Sequence, residues 1–139
     1  MDLLNKTILI TGASDGIGEV LALEFSKLGS NIVLLGRDPE KLDEVYDRLD
    51  HSFNSQKHLI LQADLNLLNN ESAHEILRAI TKEFTCLDAI IHNAAILGTM
   101  TILEDYELSK WDEVLNINLR APFLLTKTLK SILEDSTMP

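Results

Sequence analysis

Apolar residues along the chain form short continuous runs that alternate with stretches in which they recur every three or four positions. Short runs rich in Ile, Leu and Val are typical of buried parallel strands, and the longer spacing is typical of helices. The pattern predicts strands over residues 7–10, 31–35, 58–62 and 88–92, and helices over residues 19–28, 39–49, 71–84 and 109–133. Strands that alternate with helices predict an α/β fold with right-handed βαβ units and a parallel sheet in the order 3-2-1-4.

The first predicted strand leads into the first predicted helix through a glycine-rich turn, Thr11-Gly12-Ala13-Ser14-Asp15-Gly16-Ile17-Gly18. A strand, glycines and a helix in this order indicate a phosphate-binding turn, because the first helical amides have no internal partners and carry partial positive charge. A Cβ at Gly12 or Gly16 is expected to hold a pyrophosphate away from the backbone, whereas Gly18 is expected to let the helix pack on the strand. A tight turn that binds nothing is the alternative.

The pattern Thr-Gly-x-x-x-Gly-x-Gly resembles the signature of the short-chain dehydrogenase/reductase family, and the resemblance extends over essentially the whole chain. It implies a single three-layer, doubly wound Rossmann-type domain over residues 1–139, of which about four βα units are present. The implied activity is hydride transfer between NADP(H) and a carbonyl or alcohol substrate. The resemblance and the turn together assign cofactor binding to Gly12, Ser14, Asp15, Gly16, Ile17, Gly18, Arg37, Asp64, Leu65, Asn93 and Ala94.

Arg37 indicates which cofactor the site prefers. In this fold a carboxylate after the second strand binds the ribose 2′-hydroxyl of NAD, while a nearby Arg accommodates the 2′-phosphate of NADP. Gly36 stands where the family's NAD users carry Asp, and Arg37 follows it, so NADP is preferred over NAD. Asp15 stands where many of the family's NADP users carry a basic residue. A solvated surface Arg is the alternative for Arg37.

Two further segments match the family at strand ends. Asp64 matches the position that contacts the adenine ring, and its alternative is a loop or helix-capping Asp. Asn93-Ala94-Ala95 resembles the family's Asn-Ala-Gly, in which Asn93 would brace neighbouring turns while small residues admit the cofactor ribose. His92, just before it, is expected to pack inside the protein as a strand residue.

The last predicted helix carries Asn118, which matches an Asn of the family's catalytic tetrad. Pro122 has no N–H, so the carbonyl of Asn118 loses its helical partner and the helix is expected to kink there. In the family the corresponding carbonyl holds a proton-relay water. A helix-breaking Pro without any role is the alternative.

The family's catalytic Ser and Tyr-x-x-x-Lys pair follow this helix and would lie beyond Pro139. Tyr106 and Lys110 have the required spacing, but they precede Asn118 and are expected not to be catalytic. This segment alone is therefore expected to be inactive. The natural protein is longer, or the segment is a truncated product, or a second chain completes it; a full-length protein is expected to be a homo-oligomer. The alternative function is a catalytically silent dinucleotide-binding or regulatory module.

Composition narrows the classes of partner. The formal net charge of −10 argues against nucleic acid or an anionic membrane surface. A single cysteine, Cys86, excludes an internal disulfide, fits a cytoplasmic protein and is expected to be a plain buried thiol. No signal peptide and no apolar run near ~18 residues are present, so no membrane span is expected. The four histidines lack metal-ligand spacing, and no metal is expected.

Overall fold

A computed structural model of the chain describes residues 3–136. Within them, four strands form one parallel sheet in the order β3-β2-β1-β4: β1 (Thr7–Thr11), β2 (Asn31–Gly36), β3 (His58–Gln62) and β4 (Ala89–Ile91). The α-helices are α1 (Gly16–Lys27), α2 (Pro39–Asp47), α3 (Asn70–Glu83), α4 (Leu108–Leu115) and α5 (Ala121–Glu134), and a 3₁₀ turn covers Leu103–Asp105. The predicted fold class and strand order are confirmed.

Both faces of the sheet are covered, which is why β1 and β2 are buried along their whole length. Successive side chains of a strand point to opposite faces. Ile8 and Ile10 of β1 therefore pack in one cluster with Ala22 of α1 and Leu42 of α2. The other face, which includes Leu9, packs against residues of α3 and α5. The result is a three-layer sandwich with the carboxyl ends of all the strands at one edge.

The starts of α2 and α3 carry capping signals that the sequence displays. Asp38 accepts hydrogen bonds from the amides of the first turn of α2, and Pro39 occupies the first helical position. Asn69 and Ser72 form a reciprocal capping box at the start of α3. These ends agree with the predicted ones to within one residue.

Helix α1 begins three residues earlier than predicted, at Gly16 instead of Glu19. The amide of Glu19 donates to the carbonyl oxygen of Asp15 at 3.2 Å, so the first helical turn passes through the glycines. Glycine contributes nothing to an apolar periodicity, and the pattern therefore missed this turn.

The single long helix predicted over residues 109–133 is wrong. Helix α4 ends at Leu115, a π-helical segment covers Asn116–Arg120, and α5 begins at Ala121. The amide of Ala121 donates to the carbonyl of Asn116, five residues back. Pro122 has no N–H to offer Asn118 in an α-helical register, so the register changes where that donor is missing. The break expected near Pro122 is therefore present, as a π segment.

Two side chains expected inside the protein are not fully buried. Cys86 is half-buried, because it lies in the connection from α3 to β4 and not beneath the sheet. His92 is exposed, because β4 ends one residue earlier than predicted. The His92 ring instead lies on α5, with Nε2 2.9 Å from the hydroxyl of Thr126.

Among the described residues, the structure contains no helix that could span a membrane and no cluster of metal-ligating side chains. No helix between residues 3 and 136 combines the length and the apolar character that crossing a bilayer requires. The same residues bring together no group of three His, Cys, Asp or Glu side chains able to hold an ion.

The side chain of His58, at the start of β3, forms hydrogen bonds with β2 and with the loop that precedes β3. Its Nδ1 accepts a hydrogen bond from the amide of Ile32 at 3.1 Å, so the ring proton belongs on Nε2, 2.9 Å from the carbonyl oxygen of Asp50. Burial lowers the pKa of His58, and nearby His51 lowers it further, against the opposing effect of Asp50. The neutral ring fits the folded protein, because a proton on Nδ1 would displace the Ile32 amide.

The free energy of unfolding is therefore expected to fall as the pH drops below about 6.5, the ordinary pKa of histidine. In that range the unfolded chain binds a proton at His58 that the folded protein does not bind. Urea unfolding at about pH 7.5 and about pH 5.5 measures the difference. His58→Gln, which keeps an acceptor but does not titrate, should reduce it, and His74→Gln, at an exposed position of α3, is the control variant. Equal pH dependence in the wild type and His58→Gln would contradict the assignment.

Candidate functional site

A cleft of about 350 Å³ opens at the carboxyl ends of the four strands. This edge is where open parallel α/β sheets bind their ligands, and the volume lies within the range of small-molecule sites. The cleft is lined by residues that follow each strand and by one residue of the π segment: Gly12, Ser14, Asp15, Gly16, Ile17, Gly36, Arg37, Ala63, Asp64, Leu65, Asn93, Ala94, Ala95, Ile96 and Ile117.

Ten of the twelve residues predicted for the site line this cleft, and two, Gly18 and Asn118, do not. The ten are Gly12, Ser14, Asp15, Gly16, Ile17, Arg37, Asp64, Leu65, Asn93 and Ala94. The prediction missed five lining residues. Gly36, Ala63 and Ala95 adjoin strand ends, so the rule that found their neighbours could have found them. Ile96 and Ile117 reach the cleft through tertiary packing and carry no local signal.

The three glycines of the first turn have different structural roles. A Cβ on Gly18 would lie 2.2 Å from the carbonyl oxygen of Gly12, so Gly18 permits close helix–strand packing. A Cβ on Gly12 would lie 2.9 Å from the Cα of Ala94. Packing against Ala94 therefore already requires a glycine at position 12, and the expectation that Gly12 also makes room for a phosphate stays a prediction.

Gly16 is the glycine that faces open space. Its φ of +55° is one that residues with a Cβ rarely adopt. Apart from its chain neighbours and the backbone of its own helix, no atom of the described residues lies within 4 Å of the position of a Cβ. A ligand in the cleft can therefore come close to the backbone at Gly16. The predicted role of this position agrees with the geometry.

Asn93 joins the end of β4 to the end of β1. Its Nδ2 donates to the carbonyl oxygens of Thr11 and Gly12, each at 3.1 Å. The hydroxyl of Thr11 accepts from the amide of Ala94 at 3.1 Å. Asn93 thus braces the neighbouring turns, as expected, while the part that Thr11 plays was not predicted.

No side chain among residues 3–136 caps the start of α1. Asp15 occupies the N-cap position in an extended conformation, but its carboxylate makes no capping hydrogen bond. That carboxylate instead pairs with Lys41 of α2 at 3.5 Å. The first amides of α1 carry partial positive charge at the edge of the cleft, beside the open backbone at Gly16. The turn therefore fits a pyrophosphate.

Arg37 extends from the end of β2 with its guanidinium free. The side chain is exposed and makes no ion pair or hydrogen bond with any residue from 3 to 136, although its carbonyl accepts from Gln62 at 3.3 Å. Asp38, the adjacent carboxylate, accepts from the amides of Glu40 and Lys41 and caps α2. Asp38 therefore has its own partners, and the Arg37 guanidinium is available to an anion.

Asp64 shapes the loop after β3 and still offers an acceptor. Its Oδ1 accepts from the amide of Asn66 at 2.9 Å. Its other carboxylate oxygen has no hydrogen-bond partner within the described part of the chain. The loop role considered for Asp64 is thus real, and it leaves Oδ2 available beside the cleft.

Asn118 does not line the cleft, but it holds Ile96, a residue of the cleft wall, in place. Its Oδ1 accepts from the amide of Ile96 at 2.9 Å, and its Nδ2 donates to the carbonyl of Ile96 at 2.8 Å. Asn116 donates to the side chain of Asn66 at 3.2 Å. The π segment is therefore tied to the loops that follow both β4 and β3.

Tyr106 and Lys110 do not line the cleft. Lys110 pairs with Glu113, and Glu113 raises the pKa of Lys110. The Tyr106 ring packs edge-on against Trp111. Neither side chain is positioned to move a proton at this site.

The family model described as short chain dehydrogenase matches residues 6–137. The chain belongs to the short-chain dehydrogenase family. It is 34% identical over 136 residues to an uncharacterized oxidoreductase, YciK, of Escherichia coli K12, covering 97% of this chain and 54% of YciK.

Solved structures of the short-chain dehydrogenase family have the same fold. One from Pseudomonas syringae has a TM-score of 0.90 at 34% identity, covering 98% of this chain and 55% of that one. One from Escherichia coli CFT073, in complex with NADPH, has a TM-score of 0.89 at 34% identity, covering 98% and 57%. The chain spans about half the length of the curated relatives it matches.

Gly18→Ala is expected to destabilise this short-chain dehydrogenase by about 3 kcal/mol, because the new methyl group would overlap a backbone carbonyl that cannot turn aside. Gly16→Ala meets no protein atom and is expected to cost about 1 kcal/mol, through backbone strain alone. Urea unfolding of the two variants measures both losses. Equal destabilisation would show that packing at Gly18 is looser than the geometry indicates.

Proposed function

We propose that the chain binds NADP(H) and belongs to an oxidoreductase that transfers a hydride between NADP(H) and a carbonyl or alcohol. The observation that carries the proposal is the cleft at the strand ends, with uncapped helical amides on one side and a free Arg37 guanidinium on the other. The NADPH-bound relative, with the same fold, supports it.

Different residues of the cleft would bind different parts of NADP(H). The amides at the start of α1 would donate to the pyrophosphate, next to the open backbone of Gly16. Arg37 would bind the 2′-phosphate through its planar guanidinium, and Asp64 would accept from the adenine amino group. Asn93 keeps the turns in register. NADPH, when bound, supplies the hydride.

Asn118 would contribute to proton transfer through its backbone carbonyl. Its side chain is already engaged with Ile96, and the missing N–H of Pro122 removes the donor that an α-helix would direct at the Asn118 carbonyl. We infer that this carbonyl holds a water of the proton relay. The groups that protonate the substrate would lie outside the described residues.

A catalytically silent dinucleotide-binding module is the second candidate. It is favoured by the position of Tyr106 and Lys110, which lie away from the cleft. Because the groups that protonate the substrate would lie outside residues 3–136, the assay that separates the two candidates uses the full-length natural protein with NADPH and a panel of aldehydes and ketones. Loss of NADPH absorbance supports the oxidoreductase, whereas tight binding without turnover supports the silent module.

Arg37→Gln is expected to weaken NADPH binding by about 10- to 100-fold, because a charge-assisted contact to phosphate contributes about 1.5–3 kcal/mol. NADH, which has no 2′-phosphate, should bind the variant as it binds the wild type. Isothermal titration measures both affinities. Arg78→Gln on α3 removes the same charge from an exposed position as a control. Unchanged NADPH affinity in Arg37→Gln would remove the cofactor assignment.

A further inference from the structure

We propose that Lys41 is a second cation for the cofactor 2′-phosphate, and that Asp15 holds its ammonium group until the phosphate binds. This inference rests on the proposed NADP(H) function and names the residue that completes the preference for NADP(H) over NAD(H). It also gives a role to Asp15, which places a negative charge in the wall of a site meant for a phosphate.

The backbone places Lys41 close to Arg37. Asp38 directly follows Arg37 and accepts hydrogen bonds from the amides of Glu40 at 3.1 Å and Lys41 at 3.3 Å. These bonds fix the first turn of α2, so the position of Lys41 relative to the end of β2 is set by the cap. Lys41 and Arg37 therefore extend from one rigid corner.

The side chain of Lys41 reaches across to the first turn of the fold. Its Nζ lies 3.5 Å from Oδ2 of Asp15, a residue of the cleft wall. The ammonium group thus stands at the rim, where the turn after β1 meets the turn after β2. Arg37 lines the cleft from the second of these turns. An anion at this rim has a cation available from each side.

The ion pair between Lys41 and Asp15 is suited to exchange. Their side chains are 52% and 74% exposed, and an exposed pair of this kind contributes little to stability. A lysine ammonium on its flexible stem can therefore leave the carboxylate at small cost. A phosphate dianion is the stronger partner, because it carries more charge and three acceptor oxygens.

The net charge of the chain is a second reason to expect another cation near the phosphate. The chain has a formal net charge of −10, so its overall field does not attract an anionic cofactor. Lys41 brings a cation from the neighbouring helix to the corner where Asp15 stands, and it neutralises Asp15 while the site is empty.

The test is a binding cycle with four forms of the purified protein: wild type, Lys41→Gln, Asp15→Asn and the double variant. Isothermal titration with NADPH and NADH gives the ratio of the two affinities for each form. Lys41→Gln should weaken NADPH binding about tenfold and leave NADH binding unchanged. Asp15→Asn should raise the ratio in favour of NADPH by about threefold, because the competing carboxylate is gone.

The double variant decides between direct contact and simple neutralisation. If Lys41 binds the phosphate, the double variant should bind NADPH about tenfold more weakly than Asp15→Asn does. If the two bind NADPH equally, Lys41 acts only as the counter-ion of Asp15 and the proposal is overturned. Lys130→Gln, which breaks the exposed pair with Glu134 on α5, is the matched control and should change neither affinity.

Failure of this inference is distinguishable from failure of the proposed function. If Arg37→Gln loses NADPH affinity while Lys41→Gln keeps it, the inference alone falls. If Lys41→Gln weakens NADPH and NADH equally, the residue has no part in cofactor choice and the inference falls again. If the wild type binds neither nucleotide, both fall together.

Discussion

The site depends on how closely the backbone after the carboxyl end of β1 approaches the backbone after the carboxyl end of β4. Gly12 passes so near Ala94 that no side chain fits between them, and Gly18 lies against the carbonyl of Gly12. At the same corner, the Asn93 amide donates to the backbone carbonyls of the last residue of β1 and of the residue that follows it. A buried carbonyl without a donor is costly, so these bonds hold the corner in one arrangement. The cleft is the space that this arrangement leaves open.

The first turn of α1 lies at the same corner, and its backbone amides are not capped by a side chain. Helices α1, α2 and α3 directly follow β1, β2 and β3, and α2 and α3 begin with capping side chains, whereas α4, after the longer connection from β4, does not. Helix α1 begins without one, although an Asp occupies its N-cap position. Unsatisfied amides at the mouth of a cleft favour an anion, because nothing else in this part of the chain meets their charge. The proposal that this turn binds a pyrophosphate depends on these amides and on the cleft beside them.

The sequence allowed the fold to be predicted because each local signal had one interpretation. Apolar runs and helical spacing gave the elements, and the resemblance to a doubly wound Rossmann-type sheet gave the strand order. Site residues that follow a strand, such as Arg37 and Asp64, could be placed because parallel strands end at one edge. The site features that no local rule could have found depended on contacts distant in sequence. The role of Gly12 is set by Ala94, and the wall at Ile96 is set by Asn118. No pattern within a turn or a helix encodes those distances.

The π segment shows how a break in a helix can shape a site that it barely lines. Asn116 and Asn118 are two positions apart, and side chains at that spacing leave a helix on different sides. One can therefore bond Asn66 in the loop after β3, while the other bonds Ile96 in the loop after β4. An α-helix continued through this point would require an N–H that Pro122 lacks. The register change that follows from the missing donor lets one short segment hold both loops, so the width of the cleft depends on a residue outside it.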